Sequence, residues 1–375
     1  MKQANINIKP KLAVPFFNLG WQQELIKAEL LAATERVLIG GKYILGEEVD
    51  AFEAEFAADC GTRYAVGVAN GTEAIILTLK ALGIGLGDEV ITAPNSYLAS
   101  AAAIALTGAT PVFVDVGADY NLNPQLLPNA ITPRTKAILP VHLTGKPAQM
   151  PEILAIAQRY NLAVIEDASQ AVGAMYNRQK VGSFGIAGCF SLHPLKNLNA
   201  CGDGGIITTN DENLYRYLLK ARNHGLQDRD RCEFWSYNSR LDTLQAALLR
   251  VKLKYLPAWT EVRRANAQFY RQQLSNLLIV PQEKPEEYAV YCSFVIQSQQ
   301  RDALQSFLAQ REIETKIHYP IPIHLQAAAQ NLGYKLGDFP VTEQQAQTIL
   351  SLPVYPELSI EQRQQVVSTI QEFYC

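Results

Sequence analysis

From Glu48 to Thr209 the chain alternates short apolar or β-branched runs with longer segments of helical spacing, and this alternation constrains the fold more than any other feature. The short runs are Tyr64–Val68, Glu89–Thr92, Pro111–Val116, Ala137–His142, Leu162–Glu166, Cys189–Leu192 and Gly205–Thr209. Between them, residues 48–60 place Val49, Phe52 and Phe56 on one face of an otherwise acidic segment. Residues 74–82 contain neither Gly nor Pro, and residues 150–160 again read as helix. Strands without a polar face must be covered on both sides. The pattern therefore predicts an α/β fold: a mainly parallel, seven-stranded sheet flanked by helices.

After Lys252 the character changes. A long amphipathic helix is expected over 258–277, carrying Arg263, Arg264 and Arg271. Short strands follow over 289–296, then a helix over 301–310, a Pro-rich loop over 319–322, and a last helix over about 360–373. We read a large domain over 14–252, a smaller C-terminal α+β domain over 253–375, and an N-terminal extension over 1–13. The 375 residues are ample for two domains sharing a cleft.

Several function classes are disfavoured. The formal charge of -3 supplies no basic field for nucleic acid or an anionic membrane. Apolar runs such as Ala99–Leu106 are far too short to cross a bilayer, and Met1–Pro10 lacks the apolar core of a signal peptide. Cys60, Cys189, Cys201, Cys232, Cys292 and Cys375 form no C-x-x-C pair, which fits reduced thiols and a cytoplasmic location. The five histidines show no paired metal spacing, so no metal site is expected.

The chemistry concentrates at the ends of the expected strands. Asp167 directly follows the run 162–166, at the carboxyl edge where open α/β sheets bind ligands. Lys196 follows the next run in a turn bearing Pro194 and Asn197, just before Gly202-Asp203-Gly204-Gly205. Alone, the first reads as a helix cap and the second as a solvated lysine. Together with Gly71-Thr72 opening a helix and Tyr97 after the run 89–92, they supply four groups that pyridoxal phosphate needs. These are an amine for the aldehyde, a carboxylate for the ring nitrogen, N–H groups for the phosphate and an aromatic lid.

The ordered segments Asn70-Gly71-Thr72-Glu73-Ala74, Gly87-Asp88-Glu89-Val90-Ile91, Glu166-Asp167-Ala168-Ser169-Gln170-Ala171, residues 190–197 and residues 202–205 resemble the DegT/StrS family. These are sugar aminotransferases of the aspartate-aminotransferase fold, and the resemblance runs from about Val14 to Phe373. It implies that Lys196 forms the Schiff base and moves protons, and that Asp167 pairs with the pyridinium nitrogen. It further implies that Gln170 bonds the ring hydroxyl, that Tyr97 stacks on the ring, and that Gly71, Thr72 and Ser191 hold the phosphate. Asn238, in Tyr237-Asn238-Ser239-Arg240-Leu241-Asp242, matches an asparagine that the partner subunit contributes, implying a homodimer with shared sites.

The chain departs from the family's commonest pattern at Asn70, where serine is frequent and donates a hydroxyl, and at Ile186, where an acidic residue is common. His193 stands in place of a common tyrosine, either as an aromatic filler or as a catalytic group. The segment 316–325 is similar to that of members acting on nucleotide-linked 6-deoxy keto-sugars. Tyr319 and His324 are candidates there for substrate contact or for packing the loop. Arg240 either grips an anion or braces the dimer. The implied reaction moves an amino group from L-glutamate, through pyridoxamine phosphate, to a keto-sugar joined to a nucleotide. That sugar would be a deoxythymidine-diphosphate-linked 3-keto- or 4-keto-6-deoxyhexose. The alternatives are a uridine-diphosphate sugar, a keto-cyclitol, a pyridoxamine-dependent sugar dehydratase, and a sensor that kept the fold. Retention of Lys196 argues against the dehydratase.

Overall fold

The computed structural model describes residues 14–375. The extension over 1–13, with the reading made of Met1–Pro10, lies outside the described residues. Twelve strands are present among them: β1 Tyr64–Val68, β2 Glu89–Thr92, β3 Thr110–Phe113, β4 Thr135–Leu139, β5 Ala163–Asp167, β6 Met175–Tyr176, β7 Gln179–Lys180, β8 Ala187–Ser191, β9 Gly205–Thr209, β10 Glu287–Tyr288, β11 Phe294–Gln297 and β12 Ile349–Leu352. Seven form one sheet in the order β1-β9-β8-β5-β4-β2-β3. Only β9 runs against its neighbours; the other pairings in that sheet are parallel. The mainly parallel, seven-stranded sheet is therefore present.

Alternation along each strand sends its side chains to two covering layers. On β4, Ala137 and Leu139 join a core with the helices Gly71–Ala81, Leu98–Leu106 and Glu212–Ala221. Ile138, between them, joins the opposite core with the helix Met150–Tyr160. At the other end of the sheet, Phe190 and Ile206 pack against the helices Glu47–Cys60 and Thr243–Leu253. Phe56 meets Phe190 edge-on at 5.1 Å between ring centroids. Both faces are thus dry, which is why these strands read as continuous apolar runs.

Strand ends shift by a few residues from the sequence reading, for identifiable reasons. β4 stops at Leu139 because Pro140 has no N–H to extend the ladder. The Pro140 carbonyl instead accepts from the Asp167 N–H at 2.9 Å. Of the short strands expected over 289–296, only β11 falls there, and β10 ends just before that range. Tyr291 takes a left-handed backbone (φ 46°) between them. β10 pairs with β6, whereas β11 pairs antiparallel with β12. The C-terminal elements build a core of their own around Tyr270, Phe294, Leu350 and Ile370.

A buried pair fixes the carboxyl end of β5. The His142 Nδ1 accepts from the Ala148 N–H at 2.9 Å, so its Nε2 carries the proton and donates to Glu166 at 3.0 Å. Glu166 also accepts from the N–H groups of Gly182, Phe184 and Gly185. The adjacent Asp167 is thereby presented on an anchored strand end.

Candidate active site

A cavity of about 670 Å³ opens at the carboxyl edge of the sheet, and its walls include Gly71, Thr72, Tyr97, Asp167, Gln170, Ser191, His193, Lys196 and Tyr319. Asp167 and Lys196 meet there because β5 and β8 are direct neighbours.

The floor is built from helix and strand ends. Asn70 caps the helix Gly71–Ala81, its Oδ1 accepting from the Glu73 N–H at 2.9 Å. The first-turn N–H groups of such a helix have no intrahelical partner and favour an anion. Gly71 is required sterically, since a Cβ there would lie 2.8 Å from the Ser191 Cβ and 3.2 Å from the Ser169 Oγ. Gly205 is pinned in the same way, because a Cβ on it would lie 2.4 Å from the Asn70 carbonyl. The result is a close-packed cradle of backbone and hydroxyl groups at the helix N-terminus. At Asn70, the side chain spends its oxygen on the helix cap.

Asp167 is buried, and both carboxylate oxygens are engaged. Oδ1 accepts from the Ser169 N–H at 3.1 Å and Oδ2 from the Ser100 hydroxyl at 2.7 Å. Gln170 accepts from the Thr144 N–H at 2.8 Å, which turns its amide nitrogen towards the Tyr319 hydroxyl at 3.4 Å. Tyr97 is 57% exposed, leaving a ring face free, and its centroid stands 5.6 Å from that of Tyr319. Lys196 lies half-buried in a turn closed by its own N–H to the His193 carbonyl, and Asn199 donates to its carbonyl oxygen at 3.2 Å. Its ammonium has neither an ion pair nor a side-chain hydrogen bond among the described residues.

Two histidines border this lysine. His193 is exposed, and its Nδ1 accepts from the Leu195 N–H at 3.2 Å, which shapes the turn rather than filling aromatic space. His318 is bonded through Nδ1 to the Ser351 hydroxyl at 2.9 Å. Burial, then the charges of Lys196 and Lys316, push its pKa down to about 4. It is therefore a neutral imidazole at physiological pH. Burial raises the pKa of the Tyr319 phenol, so that group stays protonated.

Three candidates do not line this cavity in the single chain. His324 is buried elsewhere, bonded to Glu343 at 3.0 Å and packed edge-on against Phe339. That placement matches the loop-packing alternative. Asn238 is exposed on a hairpin where residue 238 bridges residue 223, and Arg240 donates to the Asn223 side chain at 3.1 Å.

Comparisons with known proteins place the chain in a family. The family model described as "DegT/DnrJ/EryC1/StrS aminotransferase family" matches residues 24–371. The chain belongs to the DegT/DnrJ/EryC1/StrS aminotransferase family. It is 43% identical to the dTDP-3-amino-3,4,6-trideoxy-alpha-D-glucose transaminase of Streptomyces venezuelae, over 96% of each chain. It is 44% identical to a "Pleiotropic regulatory protein" of Geobacillus stearothermophilus, over 96% of this chain and 98% of that one. Among solved structures, DesV of S. venezuelae superposes with a TM-score of 0.95 at 42% identity, covering 97% of this chain and 99% of DesV.

Within this aminotransferase family frame, the structure adds cavity residues that sequence reasoning passed over: Phe17, Ser100, Asp203, Cys292, Ser293 and His318. Ser100 had a signal, being the one polar residue in the helix Leu98–Leu106 and one turn after Tyr97. Phe17, Cys292 and Ser293 come from distant segments and carry no such mark. Among the described residues no group of three or more His, Cys, Asp or Glu could hold a metal ion. No described helix is long and apolar enough to cross a membrane.

Proposed function

We propose that this cavity binds pyridoxal phosphate through Lys196 and transfers an amino group from L-glutamate to a nucleotide-linked keto-sugar, a dTDP-linked 3-keto- or 4-keto-6-deoxyhexose. The observation that carries the reading is the unpartnered Lys196 amine in one cavity with the Asp167 carboxylate and the Gly71–Ser191 cradle. Relatives support the substrate class. One at 44% identity is a dTDP-3-amino-3,6-dideoxy-alpha-D-galactopyranose transaminase, and one at 43% is a UDP-N-acetyl-3-dehydro-alpha-D-glucosamine 3-aminotransferase. A structure at 30% identity, ntda of Bacillus subtilis, is described with bound PMP.

The residues divide the work. Gly71, Thr72 and Ser191 would hold the phosphate with first-turn N–H groups and a hydroxyl, fixing the cofactor against the sheet edge. Asp167 would face the ring nitrogen and favour its protonated form by opposite charge. Gln170 would reach the ring hydroxyl through its amide nitrogen, and Tyr97 would cover the ring. When bound, the cofactor supplies the electron sink that makes an α-proton removable. Lys196 would take that proton and return it at the neighbouring carbon, acting first as base and then as acid. His318, neutral and adjacent, would leave the amine without a competing cation.

We further propose a homodimer in which the partner's Asn238 completes the phosphate cup, with Arg240 beside it. The active unit would reside in the cytoplasm, with neither nucleic acid nor membrane as partner. The regulatory name of one relative favours a second reading, a sensor on the same fold. The intact lysine, aspartate and cradle weigh against it. The test is nitrogen transfer from isotope-labelled L-glutamate, read by mass spectrometry on dTDP- and UDP-linked keto-sugars. Label in a dTDP-linked 6-deoxyhexose supports the proposal. Label released from glutamate but absent from every nucleotide sugar would shift the assignment to a keto-cyclitol. No release of label at all favours the sensor.

A further inference from the structure

The helix Leu98–Leu106 is apolar except for one hydroxyl, and that hydroxyl is aimed at the carboxylate on which the proposed chemistry depends. Ser100 is 1% exposed and donates to the Asp167 Oδ2 at 2.7 Å. The direction is not ambiguous, because an ionised carboxylate can only accept. Ser96, also buried and one turn earlier, lies 3.1 Å from the Ser100 oxygen, and its one hydroxyl proton is shared between that oxygen and the Tyr97 carbonyl at 3.2 Å. A donor that itself accepts a hydrogen bond is polarised and gives the stronger bond. Ser96, Ser100 and Asp167 thus form a one-way relay running from the start of this helix to the end of β5. The same helix is capped by Tyr97, so one element presents both the ring-covering phenol and the hydroxyl behind the aspartate.

We infer that Ser100 is a positioning residue for Asp167, locking the carboxylate orientation so that it can pair with a protonated ring nitrogen. The inference rests on the assignment of Asp167 made above. The relay and the Ser169 N–H hold the two oxygens from opposite partners, leaving each one further lone-pair direction for a ligand. Without Ser100, Oδ2 would lose its protein donor in a buried site. The carboxyl group would then gain rotational freedom and no longer be held in one orientation towards the ring nitrogen. No other side chain takes over the role, since Ser100 supplies the side-chain hydrogen bond that Asp167 receives among the described residues.

The test compares two ligands on the full-length chain freed of cofactor. One is pyridoxal phosphate, and the other is its analogue with carbon in place of the ring nitrogen, which has nothing to offer Asp167. Dissociation constants would be measured for the wild type, Ser100→Ala and Ser100→Thr. Ser100→Ala should weaken pyridoxal phosphate about tenfold, the usual size for a hydrogen bond to a charged group, and leave the analogue within about twofold. Ser100→Thr, which keeps the hydroxyl, should restore the preference. The visible spectrum of the loaded Ser100→Ala protein should also titrate at a different pH from that of the wild type. Equal weakening of both ligands would mean that Ser100 only supports the fold, and no weakening of either would mean that it does nothing for Asp167; both overturn the inference. A wild-type protein that binds both ligands equally would instead remove Asp167 from the ring nitrogen, and the inference would fall with that assignment.

Discussion

Asp167 and Lys196 are brought together by strand pairing: Asp167 pairs with Cys189 across β5 and β8, and Lys196 lies in the turn that β8 feeds. At this scale the residue with the clearest electrostatic signature is His318. Its folded pKa of about 4 lies below the value of 6.5 it would have when unfolded. The unfolded chain therefore binds the proton more readily between these values. The stabilising effect of the neutral imidazole is complete above about pH 6.5 and is lost as pH falls through the folded pKa. A histidine NMR titration should place one resonance, removed by His318→Gln, near pH 4. A midpoint near 6.5 would mean that neither burial nor Lys196 acts on it.

At the scale of elements, the helix Gly71–Ala81 shows what one substitution in the turn proposed to hold phosphate does. Asn70 caps the helix through Oδ1, a role serine also fills. Asn70→Ser should therefore change chemical-denaturation stability by only a few tenths of a kcal/mol, whereas Asn70→Ala should cost about 1 kcal/mol. Equal effects would show that the cap contributes nothing. This element was legible before the structure because Asn70-Gly71-Thr72 precedes an unbroken helical run. The bounds of β1, β2 and β9 and of the helices Met150–Tyr160 and Arg301–Gln310 were legible for similar reasons. The bounds of the short strands near residues 287–297 were not, because a left-handed Tyr291 leaves no mark in hydrophobic spacing. Nor was the displacement of His324 from the cavity, because its partner Glu343 lies in a helix that packs against it only in three dimensions.

At the scale of the whole molecule, several apolar side chains face outwards. Leu31, Leu38 and Ile39 lie exposed along the helix Lys27–Gly40, and Trp235, on the hairpin with Asn238, is 96% exposed. Surfaces of this kind are usual where a second copy docks. The proposed shared site makes a sharp prediction. Lys196→Ala and Asn238→Ala, each inactive or nearly so as a homodimer, should recover activity when refolded together, because the mixed dimer contains one intact site. Recovery should approach about a quarter of wild-type activity for random pairing of two-fold dimers. No recovery would place Lys196 and Asn238 in the same subunit's site, and full activity of Asn238→Ala alone would leave Asn238 without a role.

The central claim is that Lys196 carries the cofactor, and its most direct test is chemical trapping. The protein would be loaded with pyridoxal phosphate, reduced with borohydride and digested, and the modified lysine located by mass spectrometry. A single reduced pyridoxyl group on Lys196, absent after prior incubation with L-glutamate, is the predicted result. Label on another lysine such as the buried Lys252, or no stable label at all, would contradict the account.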